Sequence, residues 1–335
     1  MSEATGVSGG PPAAADRPRT RPEAIKAVPL RHVWRWISAV VVLALAAALV
    51  GTIVTAPNLR WDVVGQYIFG GLILQGALLT VELTVIAMAI GIVLGVVLAV
   101  MRLSPNPVVS SVSWFYIWFF RGTPVLVQVF FWYNLNAVLP HIGIGLPFTS
   151  IGVQASTNSL ISPLLAVILG LGLNEAAYMA EIVRAGIISV EHGQTEAAMA
   201  LGMRRLQVMR RIVLPQAMRV IIPPTGNETI SMLKTTSLAF IAAVPELFTR
   251  AEQIASSNFD IIELLIVASI WYLFMTSILT IGQYYIERHY ARGSQRALPP
   301  TPLQRFRRML FTFHAPPPIV EGVEAPASLQ HGGGR

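Results

Sequence analysis

Long runs of apolar residues limit the fold of this chain more than any other feature. A helix that spans a bilayer needs about 20 predominantly apolar residues at about 1.5 Å of rise each. Four runs meet this length outright, and two meet it only if interrupted helices are allowed. The six runs lie at about 36–54, 76–101, 112–137, 160–184, 216–245 and 262–287. They predict an all-α integral membrane protein with six transmembrane helices.

The composition supports a membrane protein and excludes several kinds of site. Hydrophobic residues make up 54% of the 335 residues and charged residues only 12%, whereas about a quarter of the residues of a soluble domain are charged. The chain has no Cys, which excludes disulfides and Cys-ligated metals. Its six His are scattered without the helical spacing of metal ligands. We therefore expect neither a metal nor a cofactor.

The two ends of the chain differ from the apolar runs between them. Residues 1–35 are rich in Pro, Ala, Gly and Arg, and residues 291–335 are rich in Pro and Gly, so both are predicted to be disordered tails. The run at 36–55 is too long and starts too late for the core of a cleaved signal peptide. It is predicted to be an extra N-terminal transmembrane helix.

The positions of the positive charges orient the predicted helices. If the N-terminus is inside, the 24 Lys and Arg residues fall almost entirely in segments on the cytoplasmic side, and only Arg60, Lys234 and Arg250 do not. This positive-inside pattern predicts a multi-pass protein of the cytoplasmic (inner) membrane with both termini in the cytoplasm. It also explains the net charge of +7 without a nucleic-acid partner.

One polar, Arg-rich stretch separates the fourth and fifth runs. Residues 196–215 read EAAMALGMRRLQVMRRIVLP. Small residues precede Gly202, and a run of apolar residues alternating with Arg follows it. The pattern predicts two short helices that meet at a turn at Gly202, the second of which stops at Pro215 because proline has no backbone N–H.

This stretch resembles the EAA signature of ABC importer permeases. The resemblance implies that a cytoplasmic coupling loop at 186–215 docks into a separate ATP-hydrolysing subunit. The matching residues, which would couple transport to the ATPase, are Glu196, Ala197, Ala198, Gly202, Ile212, Leu214 and Pro215. The letters EAA recur at Glu175-Ala176-Ala177, but there Glu181 stands where the signature requires Gly.

Other stretches are similar to the polar amino-acid branch of this family. They are Arg121-Gly-Thr-Pro124 through Gln128, Ala177-Tyr178 through Gly186, and Pro224 through Leu238. The similarity covers about 70–290 and implies that the last five helices form the type I importer (MetI-like) permease core. Thr235 stands where many members carry an acidic residue, which argues against a site tuned for strongly cationic substrates.

The chain contains no Walker A pattern, GxxxxGK[ST], so it is expected not to be an enzyme. The resemblance implies ATP hydrolysis by separate ATPase subunits and delivery of the substrate by an extracytoplasmic solute-binding protein. It also implies a second permease, either an identical copy or a sister subunit. The implied substrate is an amino acid, and the sequence does not indicate which one.

The fifth run carries the polar residues expected to meet the substrate. We expect Pro223, Pro224 and Gly226 to break this helix, and broken helices near mid-membrane hold the polar substrates of transporters. The sequence-based hypothesis is a small polar chamber that forms the substrate pathway. Its predicted lining residues are Gln128, Glu228, Thr235 and Ser237. A structural ion pair between Glu228 and Lys234 is the alternative.

Three other functions remain open at this point. A permease of the same family could carry another small solute, such as an opine, a sulfonate or a phosphonate. An ion-coupled secondary transporter would need inverted repeats of similar hydropathy, and the sequence has no such repeat. A membrane enzyme would need a cluster of His, Cys or other catalytic groups, which the sequence does not offer.

Overall fold

A computed structural model describes residues 33–145 and 152–290, which are mostly helical. The predicted tails lie outside the described residues except for 33–35. The helices are α1 (Val33–Val54), α2 (Trp61–Tyr67), α3 (Gly71–Arg102), α4 (Pro107–Gly122), α5 (Val125–Tyr133), α6 (Thr157–Leu160), α7 (Pro163–Ile188), α8 (His192–Ala200), α9 (Arg205–Val208), α10 (Leu214–Thr235), α11 (Leu247–Asn258) and α12 (Ile261–Tyr290).

A small antiparallel pair of strands interrupts the helical order. It consists of β1 (His141–Gly145) and β2 (Gly152–Ser156), in the register His141 opposite Ser156. The hydroxyl of Thr157 donates to the carbonyl of Leu139 and ties the two ends of this segment together. These strands were not predicted from the sequence, because the alternation of apolar and polar residues is hard to recognise in strands of five residues.

Four of the described helices are long and apolar enough to cross a membrane: α1 from Trp36, α3, α7 and α12. A fifth candidate is bent by 47° between Arg205–Ala242 and Leu247–Asn258. These correspond to the first, second, fourth and sixth predicted spans, and to the fifth in bent form. The predicted third span is instead two helices, α4 and α5, of 16 and 9 residues.

The break between α4 and α5 lies at Thr123-Pro124, within Arg121-Gly-Thr-Pro124, where the sequence predicts an interruption of the third run. Thr123 has an extended backbone (φ −107°, ψ 140°), and so does Pro124. A residue before proline is pushed out of the helical region by the proline ring. Pro124 therefore ends α4 and starts α5 in a new direction.

The described residues from Ala48 onward form one compact unit, and the first part of α1 belongs to a separate one. No described side chain of α1 is buried. Such a helix suits a lipid environment, in which apolar side chains need no protein partner.

The centre of the compact unit is the contact between α3 and α7. Small residues bring the two helices together, as in other membrane proteins. Gly95 of α3 lies so close to α7 that an added Cβ would be 2.5 Å from Cβ of Met179 and 3.0 Å from the backbone N of Ala180. Buried side chains from α5 and α10 complete this core. The core includes Leu83 of α3, Leu171 and Met179 of α7, Val129 of α5 and Ile221 of α10.

Replacement of Gly95 by leucine is expected to destabilise the permease strongly. The backbone of α7 cannot move away without opening the core, and overpacking alone costs about 1–3 kcal/mol. The measurement is unfolding of the purified protein in mixed micelles. The matched control is Gly71→Leu on the same helix, because nothing lies within 4 Å of an added Cβ at Gly71. Equal stability of both variants would contradict this packing.

Helix α10 runs through Pro223, Pro224 and Gly226 without a break, so the break predicted there was wrong. Neighbouring groups stabilise the proline-containing turn, as is common in transmembrane helices. The side chain of Gln283 on α12 donates to the carbonyl of Pro223 at 2.7 Å, and the Thr225 hydroxyl donates to the carbonyl of Ile221 at 2.8 Å. Gly226 serves close packing, since an added Cβ would overlap the side-chain amide of Gln283.

The real break in this segment lies further on, beyond a 3₁₀ turn at Thr236–Ala242. Ala243 has a positive φ of 53° and turns the chain toward α11. The fully buried carboxylate of Glu246 then starts α11 and accepts hydrogen bonds at 2.7–3.3 Å. The donors are the backbone N–H groups of Phe248 and Thr249 and the hydroxyls of Thr80, Thr249 and Tyr272. Glu246 thus joins α3, α11 and α12 at the bend.

Candidate functional site

The predicted pair of helices around Gly202 is confirmed as α8 and α9. Gly202 has a φ of +79°, a conformation that glycine adopts at little cost. The N–H of Gly202 donates to the carbonyl of Met199 at 2.9 Å, and the N–H of Met203 donates to that of Ala198 at 3.2 Å. These two bonds form a Schellman motif, which ends α8 and reverses the chain.

The loop has a small apolar core of its own. Ala198, Val208 and Val213 are buried together. Ala198, one of the residues that match the coupling signature, therefore packs inside the loop. Half-buried side chains extend this core toward α7 and α10. They are Ile187, Val190, Met203, Met209 and Ile212.

The outer surface of the loop combines apolar and positive side chains. Leu201 is 84% exposed and Leu206 is 79% exposed, one on each side of the Gly202 turn. Glu196 and Ala197 are exposed as well. Four exposed arginines follow Gly202 in the same loop, and two of them line an open pocket with Leu206 and Gln207. The four are Arg204, Arg205, Arg210 and Arg211. Leu201 and Leu206 were not among the residues predicted from the sequence. Two leucines on either side of a polar turn could have indicated an exposed apolar contact.

The second helix does not stop at Pro215, so that prediction was wrong. After α9 the chain forms a π-helical turn at Met209–Val213 and continues directly into α10. A proline is tolerated in the first turn of a helical segment, and the wider π turn just before it disrupts the regular hydrogen bonds there. Leu214 and Pro215 therefore lie at the start of α10 with exposed side chains.

A side-chain contact fixes the start of α10 to α8. The amide of Gln216 donates to Oε1 of Gln194 at 2.5 Å and to the carbonyl of Ile212 at 2.9 Å. Together with the small core, this contact makes the loop and the first turns of α10 one packed element.

The predicted pathway residue Gln128 is buried in a structural position. Its Nε2 donates to the carbonyls of Phe120 and Thr123 at 2.9 and 3.1 Å and to the Thr123 hydroxyl at 2.7 Å. The amide of Asn174 on α7 donates to the same Phe120 carbonyl at 2.8 Å. Gln128 therefore holds the break between α4 and α5, and no hydrogen bond or ion pair joins it to Glu228 within the described residues.

The other predicted pathway residues lie on one continuous stretch. The hydroxyls of Thr235 and Ser237 donate to carbonyls of their own helical turns at 3.0 and 2.8 Å. The alternative ion pair between Glu228 and Lys234 is not formed: the described residues contain two ion pairs, and neither involves these side chains. Because α10 is unbroken between them, a separation of six residues places them on different faces.

Glu228 is half-buried on α10 and has charged neighbours on two other helices. Its carboxylate interacts electrostatically with the guanidinium of Arg121 at the end of α4. That guanidinium lies 5.2 Å from the centre of the Tyr178 ring, in cation–π geometry. A second carboxylate, that of Glu175 on α7, also interacts with Glu228. Within 33–145 and 152–290, no three His, Asp or Glu side chains lie together in a way that could hold a metal ion.

Comparison with known proteins places this chain in a family. Residues 91–292 match the family described as the binding-protein-dependent transport system inner membrane component. The arginine transport system permease protein ArgU of Corynebacterium glutamicum is 50% identical over 281 residues, which cover 83% of this chain and 87% of ArgU. The L-cystine transport system permease protein TcyB of Bacillus subtilis is 34% identical over 69% of this chain and 92% of TcyB.

Solved structures agree with this placement. A crystal structure of an amino acid ABC transporter with histidines is 32% identical and covers 67% of this chain and 97% of its own, with a TM-score of 0.58. An inward-facing methionine ABC transporter, MetNI, matches at 18% identity with a TM-score of 0.50 and supports the fold alone. The core thus has the MetI-like fold, and an ion-coupled secondary transporter or a membrane enzyme is excluded. The chain belongs to the inner-membrane components of binding-protein-dependent transport systems, and within them it is a non-catalytic permease of an amino-acid ABC transporter.

Proposed function

We propose that this permease imports arginine or a closely related cationic amino acid. The observation that carries the proposal is the 50% identity to an arginine permease over 83% of the chain. The nopaline permease NocM of Agrobacterium fabrum is 37% identical over 63% of the chain. An opine permease is therefore the second candidate.

The proposed arrangement has six membrane spans with both termini in the cytoplasm. Four single helices and the bent pair supply five of them. The sixth is α4 with α5, counted as one interrupted span. Gln128 supports this count, because its bonds to Phe120 and Thr123 hold the two halves together. The distribution of Lys and Arg supports the orientation. A second permease copy, identical or not, would complete the pathway.

The loop at 186–215 is proposed to dock into the ATPase subunit. Its exposed side chains include Leu201, Leu206 and four arginines, and apolar anchors that become buried within a polar rim are typical of protein interfaces. Glu196 and Ala197 belong to this outer face, whereas Ala198 and Ile212 act from within by keeping the loop in shape. Closure of the ATPase dimer on ATP would then move the loop and α10 together, and the extracytoplasmic binding protein would deliver the substrate from outside.

Purification and reconstitution test the proposed function. The tagged permease should recover an ATPase subunit, and the complex with its binding protein should accumulate radiolabelled arginine in proteoliposomes when ATP is present. Saturating nopaline, histidine and cystine serve as competitors. Recovery of no ATPase would contradict the docking proposal. Uptake of another amino acid, with none of arginine, would contradict the proposed substrate.

We expect Glu228→Gln to reduce arginine transport while basal ATP hydrolysis stays intact. The change removes the charge of a half-buried carboxylate at membrane depth, where charged groups usually serve function. A loss of about tenfold or more in kcat/KM corresponds to about 1.4 kcal/mol of interaction. Uptake kinetics and ATPase rate, measured on the same vesicles, check this. Unchanged affinity and rate would exclude Glu228 from the pathway. The hydroxyls of Thr235 and Ser237 remain proposed neighbours of the pathway.

A further inference from the structure

Phe259, in the turn between α11 and α12, has an unusual backbone and an unusual side chain. Its φ of 63° and ψ of 16° lie in the left-handed region, which a bulky residue adopts only under strain. Its side chain is 85% exposed, more than that of any other large apolar residue whose exposure the structure describes. Strained residues that a structure keeps in place often serve function. The ring of Phe259 therefore calls for an explanation.

The turn itself does not require an aromatic side chain. The N–H of Phe259 donates to the carbonyl of Ala255 at 2.8 Å, and this bond ends α11. An apolar residue in such a position commonly packs back against the last turn of its helix. The ring of Phe259 is too exposed to do so. Because glycine or asparagine would make the same turn with less strain, the ring is best explained by a contact outside this chain.

Bonds on both sides of Phe259 hold the turn in place. The side-chain oxygen of Asn258 accepts from the N–H of Asp260 at 3.0 Å. The carboxylate of Asp260 forms an ion pair with Arg60, whose own N–H donates to the carboxylate of Glu263 at 3.0 Å. These contacts join the residue before α2 to the start of α12. The ring thus projects from a braced corner with a defined direction.

Phe259 lies at the end of the permease opposite to the loop at 186–215. Helix α12 is 30 residues long, or about 45 Å, and begins just after this turn. It runs antiparallel to α10, because Gln283 near its end bonds Pro223, whereas Val267 near its start is buried with Leu233 further along α10. With the loop in the cytoplasm, as proposed, Phe259 faces the extracytoplasmic side.

The exposed side chains that precede Phe259 on α11 are polar: Gln253, Ser256 and Ser257. Ile261 and Ile262 are exposed as well, but they belong to the first turn of the membrane span α12. Hydrocarbon would leave the polar groups without partners, whereas a protein surface supplies them. An aromatic anchor beside polar contacts is typical of the residues that dominate protein interfaces. A soluble protein therefore fits this corner better than the lipid interior does.

We propose that Phe259 is an anchor that inserts into an apolar pocket of the extracytoplasmic binding protein. The inference deepens the proposed function, which includes that protein without naming its contacts, and it rests on the proposed orientation. Because the bonds around the turn set the direction of the ring before docking, little conformational freedom is lost on binding. The strained backbone is thus retained for recognition.

The test uses the permease–ATPase complex in nanodiscs and the arginine-loaded binding protein. It measures the affinity of the binding protein for the complex and the thermal unfolding midpoint of the complex. In Phe259→Asn the affinity should fall about tenfold or more, because the ring is lost. The midpoint should stay the same or rise, because asparagine tolerates the left-handed conformation. Phe259→Gly should lower the affinity as well, and Phe259→Trp should keep most of it.

Phe69→Ala is the matched control. It removes another strongly exposed ring, 74% accessible, but one that lies edge-on against Trp271 within the span α12, with the ring centres 6.4 Å apart. This variant should keep the affinity within about twofold of the wild type, since it lies away from the proposed contact.

The outcomes separate the anchor from the proposed function. If Phe259→Asn and Phe259→Gly keep the wild-type affinity, the anchor is wrong and the proposed function stands. If the unfolding midpoint falls in these variants, the ring serves the fold or the membrane and the inference is overturned. An equal loss of affinity in Phe69→Ala also overturns it. If the wild type does not bind the binding protein, the proposed delivery is wrong and the anchor falls with it. If proteoliposomes take up no arginine while the binding protein still binds through Phe259, the proposed substrate is wrong and the anchor stands.

Discussion

Replacement of Gly202 by proline is expected to abolish substrate-stimulated ATP hydrolysis and leave the permease inserted in the membrane. The native φ of +79° is inaccessible to proline, whose ring fixes φ near −65°. Proline would also remove the N–H that donates to the carbonyl of Met199. Helix α8 would then lose its end, and the outer face of the loop would lose its shape. The ATPase rate of the reconstituted complex, with and without loaded binding protein, measures the effect.

Gly193→Ala is the control for this variant, because it lies in the same loop and nothing lies within 4 Å of an added Cβ. Two further variants keep the backbone and change only the outer face: Glu196→Lys reverses an exposed charge, and Leu206→Asp places a charge on an exposed apolar side chain. Both should uncouple hydrolysis from substrate. Normal coupling in all three test variants would mean that the ATPase docks elsewhere.

The second large effect is expected at the bend between α10 and α11. Glu246→Ala removes one carboxylate and leaves five buried or half-buried donor groups without their acceptor. Since each unsatisfied buried polar group costs about 1–3 kcal/mol, the free energy of unfolding should fall by about 3 kcal/mol or more. The bend would lose its contacts with α3 and α12 together.

Unfolding in mixed micelles measures the loss at Glu246. Glu252→Ala on the same helix is the control, because its carboxylate accepts only from the exposed hydroxyl of Ser256. That variant should lose less than about 1 kcal/mol. Similar losses in the two variants would show that the Glu246 cluster does not stabilise the bend.

Hydropathy and charge predicted most of the helices because a lipid environment imposes simple rules on them. A run of apolar residues such as the one in α3 has no soluble alternative, and the positive charges predict which side faces the cytoplasm. Gly202 was predictable for a similar reason, since a reversal between two helices commonly requires a left-handed residue. In each case a local pattern was sufficient.

The errors came from residues whose effect depends on distant neighbours. Pro223 and Pro224 looked like a break, but Gln283 stabilises that turn from a helix 60 residues away in sequence. Gln128, a predicted lining residue, also has an amide that donates to a carbonyl at the end of α4, which the sequence did not indicate. Periodicity contains no information about such partners.

Glu175 is a second residue whose environment depends on distant parts of the chain. Glu175-Ala176-Ala177 repeats the letters of the EAA signature without its glycine six residues later. In the structure these residues lie in the middle of α7 and not in a loop. The missing hydrogen bond of the buried Glu175 Oε1 becomes visible only when α7 is packed among its neighbouring helices. The sequence of one helix does not show whether a buried side chain on it has a hydrogen-bond partner.

The uninterrupted passage from α9 through the π turn into α10 has a mechanical consequence. Arg205, at the end proposed to dock, and Glu228 lie on the same helical stretch, separated by about 35 Å at about 1.5 Å per residue. A tilt of about 10° at the end that carries Arg205 would move the Glu228 carboxylate sideways by about 6 Å, roughly the length of one helical turn. If the loop docks as proposed, a movement of the ATPase would reach the membrane helix through this one stretch, and the π turn at Met209–Val213 is a place where the stretch can bend.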